Sequence, residues 1–87
     1  MPDITFSIRI VDDDGEPCEN ISIYVSEKSI LGGEGVSTKT NEDGWAEFTF
    51  HNLIEYWIDA EVYIGREEAI DFTFEDGDTT SFTYSHD

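Results

Sequence analysis

Cysteine, proline, basic residues and long apolar runs are all scarce in this sequence. The single cysteine, Cys18, excludes an internal disulfide and a metal site built from cysteines. No apolar run approaches the ~18 residues of a membrane-spanning helix, so we expect no membrane partner. The opening residues contain no basic segment followed by an apolar one, so no secretory signal is predicted.

The missing signal sequence predicts where the protein acts. If Met1 is the natural start, we expect a cytoplasmic protein that works in the interior of a host cell. A secreted or surface location would require that the chain is a domain excised from a longer protein.

Positive charge is scarce relative to negative charge. Only four Lys and Arg stand against 21 Asp and Glu, which gives a formal net charge of −17. Such self-repulsion destabilises a compact state and contributes nothing to the fold. It also disfavours direct binding to nucleic acid or an anionic membrane, because these carry charge of the same sign. The charge therefore favours a cationic partner, counterions or a high-salt environment.

What the sequence does contain is enough apolar material for one folded domain. Its 87 residues include 38% hydrophobic and 14% aromatic residues, so we expect a single β-sandwich domain over residues 1–87. No linker, low-complexity segment or internal repeat interrupts it.

Alternating apolar and polar residues predict about seven short strands. The first covers about residues 4–11, and others are expected around residues 21–25, 36–40, 45–50, 56–64, 70–74 and 82–84. Turn residues separate them, and this pattern is typical of an all-β, antiparallel, Ig-like sandwich. Only the segment from His51 to Tyr56 could contain a helical turn.

The segment from Thr38 to Phe50 predicts a hairpin at the centre of the fold. Asp43-Gly44 lies between two runs of strand-forming residues, and Gly accepts the positive φ that hairpin turns need. We expect the other strands to be added to this hairpin.

The alternation of inward and outward side chains predicts the register of the strands on either side of Gly65–Glu67. A three-residue loop there places all the apolar side chains on one face, with these pairs: Val62–Ile70, Ala60–Phe72 and Ile58–Phe74. Tyr56 should continue the inner face. The same register sets Glu61 opposite Asp71 and Trp57 opposite Glu75 on the outer face, and directly opposed like charges cost up to ~1 kcal/mol.

One part of the sequence resembles a known family. Four segments follow one another in a characteristic order: a strand ending at Val11, an Asp-rich turn to Pro17, a strand from Ile21, and Thr40–Phe48. This order resembles that of transthyretin-like, carboxypeptidase-regulatory-like β-sandwich modules. The resemblance covers roughly residues 4–64. It implies a non-catalytic accessory module in a secreted or surface protein, with a binding or spacing role.

Two activities of related proteins lack their residues in this chain. The enzymatic branch, which hydrolyses a urate oxidation product, uses His and Arg residues and a Tyr-Arg-Gly-Ser ending, whereas this chain ends at Asp87 after Phe-Thr-Tyr-Ser-His. Pilin-type modules with a Lys–Asn isopeptide bond have a Lys in the first strand, where this chain has Arg9.

No pattern in the sequence predicts catalysis, a cofactor or a metal. His51 and His86 have no partner at catalytic spacing. The Asp-rich segments 12–16 and 75–78 resemble pieces of Ca²⁺ loops, but they lack the helix–loop–helix spacing and its closing Glu. We therefore expect solvated turns there, no enzyme activity, and a packing role for Cys18.

The candidate binding residues are on the outer face of two neighbouring strands. The first strand alternates carboxylates with large aromatic residues, and the second extends the row, which gives the set Trp57, Asp59, Glu61, Tyr63, Asp71 and Glu75. Aromatic residues are enriched at binding hot spots, and carboxylates beside them would pair with Arg or Lys. The alternative is a covered sheet face, or solvated strands whose aromatic residues shield the backbone.

Three explanations of the charge follow. The first is a small inhibitor of the anti-defence, anti-CRISPR type, encoded by a phage or mobile element, which mimics nucleic acid and blocks the basic groove of a DNA- or RNA-handling protein. The second is an accessory transthyretin-like module, and the third is salt adaptation. The first is the hypothesis that we take forward.

Overall fold

Seven β-strands form two sheets in a computed structural model that describes residues 2–28, 34–65 and 69–84. The strands are β1 (Ile4–Val11), β2 (Ser22–Glu27), β3 (Gly35–Lys39), β4 (Trp45–Phe50), β5 (Trp57–Ile64), β6 (Ile70–Glu75) and β7 (Thr79–Thr83). The described residues contain no helix, and residues 51–56 form bends where a helical turn was possible. The all-β sandwich predicted from the sequence is confirmed.

The sheets contain three and four strands, in the orders β4-β1-β7 and β3-β2-β5-β6. Every pair is antiparallel except β1–β7, which is parallel, so the sandwich is mixed where a purely antiparallel one was predicted. The turn before β7 explains this direction. Gly77 N donates to Thr5 O, and Thr5 N donates to Asp76 Oδ1, so the turn lies beside the start of β1 and β7 then runs in the same direction as β1 from Ser7 onwards.

Apolar side chains from both sheets meet in one core. Phe6 lies at its centre, with its ring stacked on Phe48 and Phe50 of its own sheet and on Phe74 of the opposite sheet. The Phe6–Phe74 ring centroids are 4.0 Å apart, so this pair joins the two layers. Cys18 is also buried in the core, and burial raises the pKa of its thiol, which fits the packing role predicted for it.

The predicted hairpin from Thr38 to Phe50 is wrong. β3 pairs with β2 and β4 pairs with β1, so the turn between them connects the two sheets. Buried Thr40 explains the separation, because its hydroxyl donates to Cys18 O (2.7 Å) and accepts from Ile21 N (2.9 Å), which ties the end of β3 to the start of β2. Only the turn itself was predicted correctly, with Gly44 at φ 82°.

The inner face of β5 was predicted correctly except at its start. Ile58, Ala60, Val62 and Ile64 are buried, but Tyr56 precedes the strand and is 71% exposed. Leu53 covers this end of the core instead, because its backbone N donates to Pro2 O and its side chain is buried.

The predicted register of β5 and β6 is confirmed. Ile58, Ala60 and Val62 pair with the predicted apolar partners, Glu61 pairs with Asp71 and Trp57 pairs with Glu75. Arg66 and Glu67 of the predicted loop lie outside the described residues. In the last strand, Phe82 is in β7, and Tyr84 follows it and donates its backbone N–H to Val11 O.

Candidate protein-binding surface

The six predicted binding residues share one surface, the outer face of β5 and β6. β5 supplies Trp57, Asp59, Glu61 and Tyr63 because its alternate residues are buried, and β6 supplies Asp71 and Glu75 in register with them. We call this set of six the acidic face. Their outward placement is confirmed, and their role in binding stays a prediction.

A pair of tyrosines extends the acidic face onto β2. Tyr24 pairs with Tyr63 in register, and the centroids of their exposed rings are 5.9 Å apart. The Tyr63 hydroxyl lies 3.4 Å from Glu61 Oε2, to which it donates. The charge of Glu61 raises the pKa of the Tyr63 phenol, whose hydroxyl donates to that carboxylate.

Lys28 is a component of this surface that the sequence reasoning missed. Its Nζ lies 2.8 Å from Asp71 Oδ1, and its backbone N donates to Asp59 O. The hydrogen bond to Asp71 raises the pKa of Lys28. Because its ammonium lies against Asp71, its positive charge reduces the repulsion between Glu61 and Asp71. The signal was present in the sequence, because Lys28 continues the outward alternation of Tyr24 and Ser26 in β2.

Asp59 is oriented by a neighbour on β6. Thr73 lies opposite it and donates its hydroxyl to Asp59 Oδ1 at 2.6 Å. In the described part of the chain, the carboxylates of Asp59, Glu61 and Asp71 thus each have a hydrogen-bond or ion-pair partner, whereas the Glu75 carboxylate has none.

The outer face of the other sheet is different in chemistry. It presents mostly Ser and Thr side chains from the three strands, and its charged residues are Arg9 and Glu47. Arg9 is stacked over Trp45, with its guanidinium carbon 5.8 Å from the ring centroid. The carboxylates of the sheets are therefore concentrated on one side of the sandwich.

A further group of carboxylates lies in the turns at one end of the sandwich. These residues are Asp12, Asp13, Asp14, Glu16, Glu19, Glu42 and Asp43. Asp12 has a structural role there, because its Oδ1 accepts from the backbone N of Asp14 and of Glu16. In the described residues, no group of three or more His, Cys, Asp or Glu is arranged to hold a metal ion.

A cavity of about 240 Å³ borders the acidic face where β5 begins. Its floor is formed by the buried residues Leu53 and Ile58, and its walls by Ile54 and Trp57, which are 84% and 45% exposed. We call this cavity the notch. Sequence reasoning found Trp57 but missed Ile54, although an isoleucine in a short polar connection was a usable signal.

His51 has a partner that the sequence did not reveal. Its Nδ1 is 3.2 Å from Asp3 Oδ2, and both side chains are largely exposed. Asp3 Oδ1 also accepts from Asn52 N, and these two contacts hold the pKa of Asp3 below its ordinary value. The pair fastens the start of the chain to the β4–β5 connection. His86 lies outside the described residues.

No helix in the described part of the chain is long and apolar enough to cross a membrane. No protein-family model matches the sequence, and no curated protein matches it significantly.

Solved structures share the fold. The DUF3823 family protein from Parabacteroides merdae superposes with a TM-score of 0.57 at 10% identity, over 97% of this chain and 45% of that one. The Bacillus anthracis TIE protein superposes with a TM-score of 0.59 at 20% identity, over 95% of this chain and 16% of that one. This chain thus spans less than half the length of either protein, and at these identities the likeness concerns the fold alone.

Proposed function

We propose that this protein is a non-catalytic binding protein that blocks the basic groove of a DNA- or RNA-handling protein with its acidic face. The observation that carries this proposal is the asymmetry of the two sheets. Four carboxylates and two exposed aromatic residues lie together on β5 and β6, whereas the opposite outer face is mostly Ser and Thr.

The spacing of the carboxylates supports nucleic-acid mimicry. Asp59 and Glu61 are two residues apart on β5, which separates them by about 7 Å, and Glu61 is directly opposite Asp71, about 5 Å away. These intervals are comparable to those between neighbouring phosphates, and a paired β-sheet holds them rigidly. A Lys/Arg channel that tracks a nucleic-acid backbone would meet a similar row of charge.

The proposed mechanism is occlusion without chemistry. Trp57 and Tyr63 supply apolar contact area of the kind that dominates binding hot spots, and the carboxylates supply orientation and rapid association. An inhibitor of a guided nuclease, of the anti-CRISPR type made by phages, would act in this way on the positively charged channel of its target.

A pair of variants with equal charge tests the proposal. The first variant removes three charges from the acidic face by the substitutions Asp59→Asn, Glu61→Gln and Glu75→Gln. The second removes three charges from the turns at one end of the sandwich, here called the end turns, by Asp13→Asn, Glu19→Gln and Glu42→Gln. Wild-type protein is used to capture a partner from host lysate, and affinities are then titrated against salt. We expect the first variant to bind about tenfold more weakly and the second to bind nearly normally.

Two results would contradict the proposal. Equal losses in both variants would mean that net charge, and not this face, determines binding. Failure to capture any basic nucleic-acid-handling protein at ~0.1 M salt, where the Debye length is ~10 Å, would exclude the mimicry itself.

A second candidate is an accessory module of the transthyretin-like type. Two observations favour it: the sequence resemblance from Thr40 to Phe48, and the fact that this fold makes up only 45% and 16% of the two similar structures. Inspection of the complete open reading frame tests it, because a module predicts neighbouring domains or a signal sequence.

A further inference from the structure

We propose that the notch is the site where a single arginine side chain of the basic partner is bound. This inference rests on the proposed function and specifies which part of the surface makes the central contact. It starts from an exposed apolar group beside the acidic face, because Ile54, Tyr56 and Trp57 are all solvent-exposed within four consecutive residues.

The shape of the notch suits a long side chain with an apolar stem. Leu53 and Ile58 close its floor, and Ile54 and Trp57 form its walls. Arginine and lysine bury their methylene stems on such surfaces while the charged group remains at the polar edge. The cavity of about 240 Å³ has room for one such side chain and not for a folded element.

The edge of the notch has the opposite charge. Glu27, Glu55 and Asp59 line it, together with the cation Lys28. Lys28 is already paired with Asp71, which lies outside the notch. Within the described part of the chain, the carboxylates of Glu27 and Glu55 have no hydrogen-bond or ionic partner. The notch therefore has an excess of negative charge that is not neutralised internally.

These features favour arginine over lysine and over a second copy of this chain. A planar guanidinium can stack on the Trp57 ring and donate to two carboxylates at once, whereas an ammonium can do only one of these well. A second copy would bring another acidic surface to the notch, because the chain has four basic residues in all and a net charge of −17.

The test uses the folded chain and small probes, without the partner. N-acetyl-argininamide is titrated into ¹⁵N-labelled protein, with the lysine analogue and the neutral citrulline analogue as comparisons, while the two tryptophan Nε1–H signals are followed. We expect the Trp57 signal to shift and saturate with the arginine probe, to shift less with the lysine probe and to stay unchanged with citrulline. Trp45, on the opposite sheet, is the internal control.

Variants locate the contact. Glu55→Gln and Asp59→Asn should each lower the affinity for the arginine probe by about two- to fivefold, the range of an exposed ion pair. Glu47→Gln on the opposite sheet should leave this affinity unchanged. Trp57→Phe should keep part of the affinity and Trp57→Ala should abolish it. These two variants lack the Trp57 indole signal, so their titrations are read from the backbone amide shifts of Ile54 and Ile58, which line the notch, with the dispersion of the amide spectrum as the check of folding.

Three results would overturn the inference. Shifts spread over the end turns with none at Trp57 would indicate diffuse charge attraction, and equal responses to arginine and citrulline would exclude recognition of charge. A Trp57 shift that depends on protein concentration alone would assign the notch to self-association. Arginine binding at the notch without capture of a basic partner would contradict the proposed function and leave this inference standing. Capture of a basic partner without arginine binding at the notch would overturn this inference and leave the proposed function standing.

Discussion

Phe6 shows how much of this fold depends on one side chain. Its ring contacts Phe48 and Phe50 within the three-stranded sheet and Phe74 across the sandwich. Because a domain of 87 residues buries a smaller share of its surface than a large one, few other contacts can compensate for the loss of this ring.

Phe6→Ala should lower the free energy of unfolding by about 3–5 kcal/mol, since it creates a cavity between the layers. Tyr56→Ala is the control, because Tyr56 is another aromatic residue but lies outside the core, and its effect should stay within about 0.5 kcal/mol. Urea unfolding followed by circular dichroism measures both. A large effect at Tyr56 would mean that this side chain packs in the core, as the alternation in the sequence predicts.

Asp3 predicts an acid-dependent contribution to stability. Its pKa is lowered in the folded state by the hydrogen bond from Asn52 and by His51. A lowered pKa means that this contribution is complete above the ordinary value of 3.8 and is lost as the pH falls through the folded value. Unfolding measured between about pH 5 and pH 2 should be less steeply pH-dependent in Asp3→Asn than in the wild type. Identical slopes would show that the contact contributes nothing.

The connection between β3 and β4 determines which strands share a sheet. The Asn41 side chain accepts from Asp43 N and Trp45 N, and Gly44 O accepts from Ile10 N, so the turn is fixed against the end of β1. A methyl group on Gly44 would lie 2.6 Å from Ile10 O.

Gly44→Ala and Gly77→Ala therefore form a matched pair. Both glycines have positive φ, 82° and 86°, but no atom lies within 4 Å of the position of an added Cβ at Gly77. Gly77→Ala should cost about 1–2 kcal/mol for the backbone conformation alone, and Gly44→Ala should cost clearly more because of the clash. Equal losses in chemical denaturation would mean that the turn moves away from β1 without penalty.

The sequence predicted those elements that depend on alternation and failed where distant contacts decide. Parity alone was sufficient for the β5–β6 register, and with it for the outward position of Trp57, Asp59 and Glu61. The Asp43-Gly44 signal is local and specifies a turn, but it does not specify which strands pair on either side of the turn. That pairing depends on the hydrogen bonds of Thr40 to residues about twenty positions earlier. The parallel β7 and the position of Lys28 likewise depend on contacts between distant segments.

At the scale of the whole molecule, charge opposes the fold. A net charge of −17 repels itself over dimensions of 39 × 23 × 16 Å, and salt screens this repulsion. We expect the unfolding temperature to rise between about 0.1 M and 1 M NaCl, because the Debye length falls from ~10 Å to ~3 Å. Calorimetry measures the change, and KCl at equal ionic strength should act like NaCl. A much larger effect of one cation would point to specific ion binding, which screening alone does not explain.

The parallel pairing of β1 with β7 has a mechanical consequence. The chain enters the sandwich at one end of this pair and leaves it at the other, because Ser7 is paired with Thr79 and Val11 with Thr83. A pulling force applied through the two ends would load all the hydrogen bonds between these strands simultaneously in shear, instead of opening them one after another. Among all-β domains of this size, we therefore expect the molecule to resist stretching far better than a sandwich whose outermost segments are antiparallel neighbours.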